Sequence, residues 1–377
     1  MNFSVFDRAQ RAPFDRAQRA PASLALTMTG LAFMVCSVLA FSISGKALAA
    51  PANSAAPAVT PNAMATAPII SPAALKTLVD QKAVRVLDIR EIFQTDGKTP
   101  NYAAGHIPGA VAAPYSSLRG PNANPGRMIS EAEFSKLVSA WGITPDMHVV
   151  FAGTGGDATD FGGAARFYWT FKIAGFKKLS ILDGGLGAWM ALKYEQSTDT
   201  PKITPTQVQL RFDRAQIVNH TDIAKLLPGL SGKGTDKTAG VSAKPRLLDT
   251  RPEEYFTGED KHPSAARAGT LPGARHFDQE EFFQMNTGKL LPKAELESLA
   301  KSAGLITTDE TITFCNTGHW SATAWFVLSE ILGQTNTRMY PESAIGWSKS
   351  KLPMDNEPAR TKLLWRDLKE GVSNLKN

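Results

Sequence analysis

The sequence predicts an α/β protein built from two tandem copies of one unit, each a mostly parallel sheet flanked by helices. Three internal echoes carry this expectation. Val84 to Arg90, ending Leu87-Asp88-Ile89-Arg90, returns as Arg246 to Arg251, ending Leu248-Asp249-Thr250-Arg251. Gly105-His106-Ile107-Pro108-Gly109-Ala110 returns as Gly269-Thr270-Leu271-Pro272-Gly273-Ala274. Gly175 to Trp189 spans 14 positions, and so does Gly333 to Trp347. Within each copy short strand-forming runs alternate with helical spacing, the pattern of parallel strands joined by crossovers.

The chain of 377 residues is long enough for two ordinary cores, and its 43% hydrophobic and 20% charged residues are usual for a globular protein. The formal charge is +6, of which Arg8, Arg11, Arg16, Arg19 and Lys46 against Asp7 and Asp15 supply +3. What remains forms no basic block, so nucleic acid is not an expected partner.

In chain order, residues 1–49 carry arginines, an apolar run over 24–43 and then Ala47-Leu48-Ala49. That layout predicts an export signal and hence a periplasmic or otherwise exported protein. The alternative is an uncleaved anchor, the one arrangement that makes a membrane partner. Residues 50–70, rich in Ala and Pro, read as a spacer. The first unit is placed at 71–200, opening with Ser71-Pro72 as a helix start, and the second at 201–358. Residues 228–245 read as a surface insertion, and 359–377 as a C-terminal amphipathic helix packed on the body.

Chemistry is expected at one stretch. Thr311 to Phe314 suit a buried strand, Ala322 to Leu332 a helix stopped by Gly333, and Cys315 opens the tight loop between them. N–H groups of residues 316 to 321 are expected to converge on the sulfur, with the helix start adding positive potential that favours thiolate, the nucleophile. Cys36 lies in the apolar run, so an exported mature chain keeps Cys315 alone and forms no internal disulfide. A tyrosine-phosphatase cradle would need arginine six residues after the cysteine, where Ser321 stands. A Cys/His protease would need a histidine with an orienting partner, and His319 lies on the cradle itself. The first unit's matching loop, counted from Phe151 to Ala164, is five residues longer than Phe314 to Ala322 and holds no cysteine, so that unit is read as catalytically silent.

The paired Asp-x-Arg strand ends, the Gly-His-Ile-Pro-Gly-Ala turn, Leu182-Asp183-Gly184-Gly185 through Trp189 and the cysteine loop resemble two-domain rhodanese-family sulfurtransferases over about residues 71–358. The resemblance implies tandem rhodanese-like domains, inactive then catalytic, and sulfane-sulfur transfer through a persulfide on Cys315. The partners are then a small anionic donor, thiosulfate or mercaptopyruvate, and a thiophilic acceptor such as cyanide, a thiol or a protein, with no cofactor or metal. The alternative is a non-enzymatic persulfide carrier or sulfur sensor. Substrate contacts are expected from Asn316, Thr317, Gly318, His319, Trp320 and Ser321, with His319 the one candidate cation in the loop and Trp320 either a pocket wall or core. Arg251 reads either as an anion ligand or as a salt-bridge partner of Asp249 or Glu253, and Lys261, His262 and Arg267 as further sources of positive charge.

Overall fold

The computed structural model describes residues 66–230 and 245–359. The expected export signal, most of the spacer and of the 228–245 insertion, and all but the first residue of the expected C-terminal helix lie outside them. The first half runs β1 (Ile69–Ile70), α1 (Pro72–Asp80), β2 (Arg85–Asp88), β3 (Val111–Ala112), α2 (Glu131–Ala140), β4 (Val149–Ala152), α3 (Ala158–Ile173), β5 (Leu179–Leu182) and α4 (Gly185–Ala191). The second runs α5 (His220–Leu230), β6 (Arg246–Asp249), α6 (Glu253–Phe256), β7 (Arg275–His276), α7 (Lys293–Ser302), β8 (Thr311–Phe314), α8 (Trp320–Phe326), β9 (Thr337–Met339) and α9 (Ser343–Ser348).

The first sheet has the order β1-β5-β4-β2-β3 and the second β7-β6-β8-β9, with every pairing parallel. A parallel bridge from Ile217 to Met339 stands where β1 meets β5 in the first half. These are the two α/β units expected from the repeat.

Local chemistry explains the boundaries. Ser71 caps α1, accepting the Ala74 N–H at 3.2 Å, with Pro72 in the first turn. Ile69 and Ile70, at the end of the segment read as spacer, instead pair with Ile181 and Leu182, because a β-branched pair adds readily to an open parallel edge. Residues 206–213 hydrogen-bond to Ser135, Ser139 and Ile173, so the connector assigned to the second unit lies along the first. His106 is structural: buried, stacked on Tyr102 at 3.7 Å, with Nδ1 at 2.8 Å from the Tyr102 carbonyl.

The strands fix a register that the sequence pattern missed by one. Asp88 pairs with Ala152 and Asp249 with Phe314, so Phe314 matches Ala152, not Phe151, and Gly153 holds the place of Cys315. Val149 pairs with Leu179 and Thr311 with Thr337, making the first half's crossover longer by four residues rather than five. Its surplus loop is closed by backbone. Gly155 lies against Gly184 and Gly185, and a Cβ on Gly288, from the second half, would stand 2.9 Å from the Gly155 carbonyl carbon and oxygen.

The halves share one core. Helix α3 is buried on nearly every face and packs against α8, with Phe161 5.7 Å and Tyr168 4.9 Å from Phe326, ring centre to ring centre. Each such pair adds about 0.5–1.5 kcal/mol to the burial of the rings. The Tyr168 hydroxyl and Lys172 both reach Glu330, at 2.9 and 2.7 Å. One apolar cluster runs from Phe134 and Phe151 to Trp325 and Leu328. Calorimetry of the full chain is therefore expected to show a single unfolding transition, lowered by Phe326→Ala at a cost of about 3–5 kcal/mol. Two separated transitions, with the substitution moving one alone, would contradict a shared core.

Candidate active site

Strand β8 ends at Phe314 and α8 begins at Trp320, so the chain turns from sheet to helix over Cys315 to His319. Cys315 is a free thiol, fully buried. On one side the loop is braced by α9. The Ala344 and Ile345 N–H groups donate to the Cys315 and Asn316 carbonyls at 2.9 and 3.2 Å. The Cys315 and Gly318 N–H groups converge on Ser343 Oγ, both at 3.1 Å, while the Ser343 hydroxyl donates to the Tyr340 carbonyl at 2.8 Å.

That geometry corrects the expected cradle, because the Gly318 N–H is committed to Ser343 rather than to the sulfur. The N–H groups of Asn316, Thr317 and His319 have no acceptor among the described residues. Gly318 has φ +73°, and a Cβ there would overlap the Arg166 guanidinium and the Pro341 carbonyl. Ser343 holds φ +53°, where the first half has Gly185 at +54°. A serine kept in a conformation that suits glycine is held there by the work of its hydroxyl.

The other side of the loop is held by the first half. Arg119 Nη1 donates to the Thr317 carbonyl at 3.0 Å and to the Tyr115 hydroxyl at 2.9 Å. Arg166 Nη1 donates to the Gly318 carbonyl at 3.0 Å, and its Nη2 to the Gly126 carbonyl at 3.3 Å. Arg166 is 1% exposed and lies over the Trp169 ring at 5.0 Å. Among the described residues neither arginine pairs with a carboxylate; the nearby Glu342 accepts from the Asn124 amide instead, at 2.6 Å. Burial lowers the Arg166 pKa to about 10, which leaves it charged at neutral pH, within electrostatic reach of Cys315.

His319 is not the cation that the sequence suggested. Its Nε2 lies 2.7 Å from the Thr159 carbonyl, which can only accept, so Nε2 carries the proton. Nδ1, at 2.8 Å, then accepts from the Tyr115 hydroxyl. Burial, with Arg119 and Arg166 nearby, pushes the His319 pKa down to about 3. The imidazole is neutral and ties the loop to the first half. Trp320 is buried, its indole N–H 3.3 Å from Thr159 Oγ1 and its ring 6.4 Å from that of Tyr255.

Arg251 is engaged as a salt bridge. Its Nε and Nη2 donate to the two Asp249 oxygens at 2.8 and 2.6 Å, and Nη2 also reaches the Gly269 carbonyl at 2.8 Å. Arg90 makes the same contacts with Asp88 and Gly105 in the half without a cysteine, so the arrangement serves the fold in both. The difference is Arg251 Nη1, 3.3 Å from Asn316 Oδ1. This orients the Asn316 amide, whose Nδ2 is buried without a partner, as is Ser321 Oγ. Both are groups for a bound reactant to satisfy.

Lys261 donates to the Ala265 carbonyl, and Arg267 to the carbonyls of Ser348, Ser350 and Leu352. His262 is buried, and desolvation with Arg119 and Lys261 lowers its pKa to about 4. None of these three is the free cation expected of that loop. Arg119, Arg166, Tyr115 and Ser343 were not singled out from the sequence. Two signals existed: an arginine inside the apolar run Phe161 to Phe171, and serine aligned with Gly185 by the 14-residue spacing.

The model for the rhodanese-like domain matches residues 71–192 and 236–350. A thiosulfate sulfurtransferase of Corynebacterium glutamicum is 29% identical over 265 residues, covering 67% of this chain and 81% of the relative. The sulfur carrier protein TtuD of Thermus thermophilus is 27% identical over 278 residues, covering 71% and 89%. The crystal structure of SseA from Escherichia coli, described with the rhodanese fold and the mechanism of 3-mercaptopyruvate enzymes, superposes with a TM-score of 0.60 at 21% identity, covering 74% of this chain and 99% of that one. With the matched domains spanning both halves, the chain belongs to the rhodanese family as a tandem-domain member.

Proposed function

We propose that this protein transfers sulfane sulfur from thiosulfate, or a related anionic donor, to a small thiophilic acceptor through a persulfide on Cys315. The observation that carries the reading is the buried Cys315 thiol in a loop whose N–H groups at Asn316, Thr317 and His319 lack an acceptor, and whose two adjoining arginines lack a carboxylate, among the described residues. The Cys315 thiolate attacks the outer sulfur of thiosulfate, the sulfur–sulfur bond breaks, and sulfite leaves with the electron pair. The outer sulfur of the persulfide, negative when ionised, is stabilised by fixed N–H donors as an oxyanion is. Cyanide then attacks that sulfur, thiocyanate leaves, and the thiolate returns, so no external oxidant or reductant is used.

The full burial of Cys315 supports small reactants over direct delivery to a bulky partner, and so favours turnover over a carrier role. The carrier name of the Thermus relative keeps a protein acceptor as the second reading. A mercaptopyruvate carboxylate would call for a free guanidinium, and Arg251 is held by Asp249 and Gly269. The apolar run over 24–43 ahead of Ala47-Leu48-Ala49 supports export as the setting.

Cys315→Ser is expected to abolish thiosulfate:cyanide turnover and the added sulfur mass at residue 315 while keeping the melting temperature; turnover near that of the parent would remove Cys315 as nucleophile. Ser343→Gly is expected to leave stability nearly unchanged, since strain is relieved as the clamp is lost, yet to cut kcat by about tenfold or more. A stable variant with parental kcat would deny the clamp a part in catalysis. Arg251→Ala and Arg90→Ala are each expected to cost on the order of 3 kcal/mol of stability, because each leaves a buried aspartate unpaired. If Arg251→Ala instead raised the donor KM at an unchanged melting temperature, the anion-ligand role would be the correct one.

A further inference from the structure

The loop of the second half carries no charge of its own to attract an anion: Asn316, Thr317, Gly318 and Trp320 are neutral by nature, and His319 is neutral by burial. The positive charge at the site comes from the half without a cysteine. Arg119 and Arg166 stand on the segment after β3 and on α3, 198 and 152 residues from the carbonyls they hold. Both contacts are to peptide oxygens, which neutralise no charge. A guanidinium so placed keeps its whole field, and in a buried site that field is weakly screened.

The two contacts also set peptide orientation. A trans peptide points its C=O and N–H in opposite directions. Arg119 on the Thr317 carbonyl turns the Gly318 N–H toward Ser343 Oγ, as observed at 3.1 Å. Arg166 on the Gly318 carbonyl likewise turns the His319 N–H away from Arg166, and that N–H has no acceptor among the described residues. A cation on the carbonyl end polarises the peptide and strengthens the donor at its other end.

We propose that Arg119 and Arg166 are positioning residues of the active site: the first half supplies the fixed cations that orient the Cys315 loop and select anionic reactants. This rests on the sulfurtransferase reading for its biological use, but the electrostatic claim can be tested without a sulfur donor.

Iodoacetate and iodoacetamide alkylate the same thiolate by the same displacement, in which the carbon–iodine bond breaks, iodide leaves with the pair and a thioether forms. The ratio of their rates at one pH cancels the thiolate fraction and the accessibility of the sulfur, and reads the local charge. In the full chain at low ionic strength, with peptide mass spectrometry following residue 315, Arg119→Gln is expected to lower the iodoacetate:iodoacetamide ratio by about three- to tenfold. Arg119→Lys, which keeps the charge, should stay within about twofold of the parent, as should Arg211→Gln, which removes an exposed arginine already paired with Glu131. Arg166→Gln is expected to lower the ratio further; should its burial prevent folding, Arg119→Gln against Arg119→Lys decides. A ratio for Arg119→Gln equal to the parent's, or equal losses in the Gln and Lys variants, overturns the proposal. Thiosulfate turnover in the same proteins is read separately: a parent without turnover but with the charge-dependent ratio keeps this inference and sinks the donor assignment.

Discussion

A guanidinium buried without a carboxylate is the constraint around which the site is arranged. Arg166 is expensive to bury, and its burial is offset by carbonyl dipoles and the Trp169 face rather than by an opposite charge. Its guanidinium occupies the space a Cβ on Gly318 would need, and Gly318 lies in the left-handed region, so both space and backbone call for glycine there. The contact of Arg166 with the Gly318 carbonyl crosses between the halves, so the loop bearing the thiol takes its shape only when both are packed together. Helix α3 presents Arg166 to the loop and Phe161 and Tyr168 to α8, which makes the shared core and the charge two products of one helix.

The duplicated frame separates what folding needs from what chemistry adds. Asp88 with Arg90 and Asp249 with Arg251 brace the same strand end in each half, and Leu186 meets Gly153 as Ala344 meets Cys315. Against this common background the additions are few: the thiol, the serine at φ +53° and the reach of Arg251 to Asn316. Each is a small change on a backbone that the other half holds without it.

The repeat, the strand ends and the cysteine loop were legible because they rest on local pattern. The one-residue slip in matching the halves has a physical origin: Val149–Ala152 and Thr311–Phe314 are buried on both faces, so no alternation of apolar and polar residues marks the register. The arginines that serve the loop were hidden by sequence distance, and the protonation of His319 by burial that a loop motif does not reveal. Arg251 could be narrowed to two roles from its neighbours, and its buried bidentate geometry is what separates them.

The backbone seam where Gly288 rests on Gly155, and Gly155 on Gly184, bears on how the two halves diverged. Gly153 already occupies the position of a nucleophile, so one codon change would put sulfur there. It would arrive beside a longer loop whose backbone is packed against Gly184 and against the Gly288 loop of its twin. To open that seam, glycines in both halves and the loop between β4 and α3 would have to change together, and each step alone would loosen the contact between the halves. The divergence of the two copies is in this sense a ratchet: with the second copy leaning on the cysteine-free loop of the first, a cysteine could be restored in sequence without restoring the structure around it.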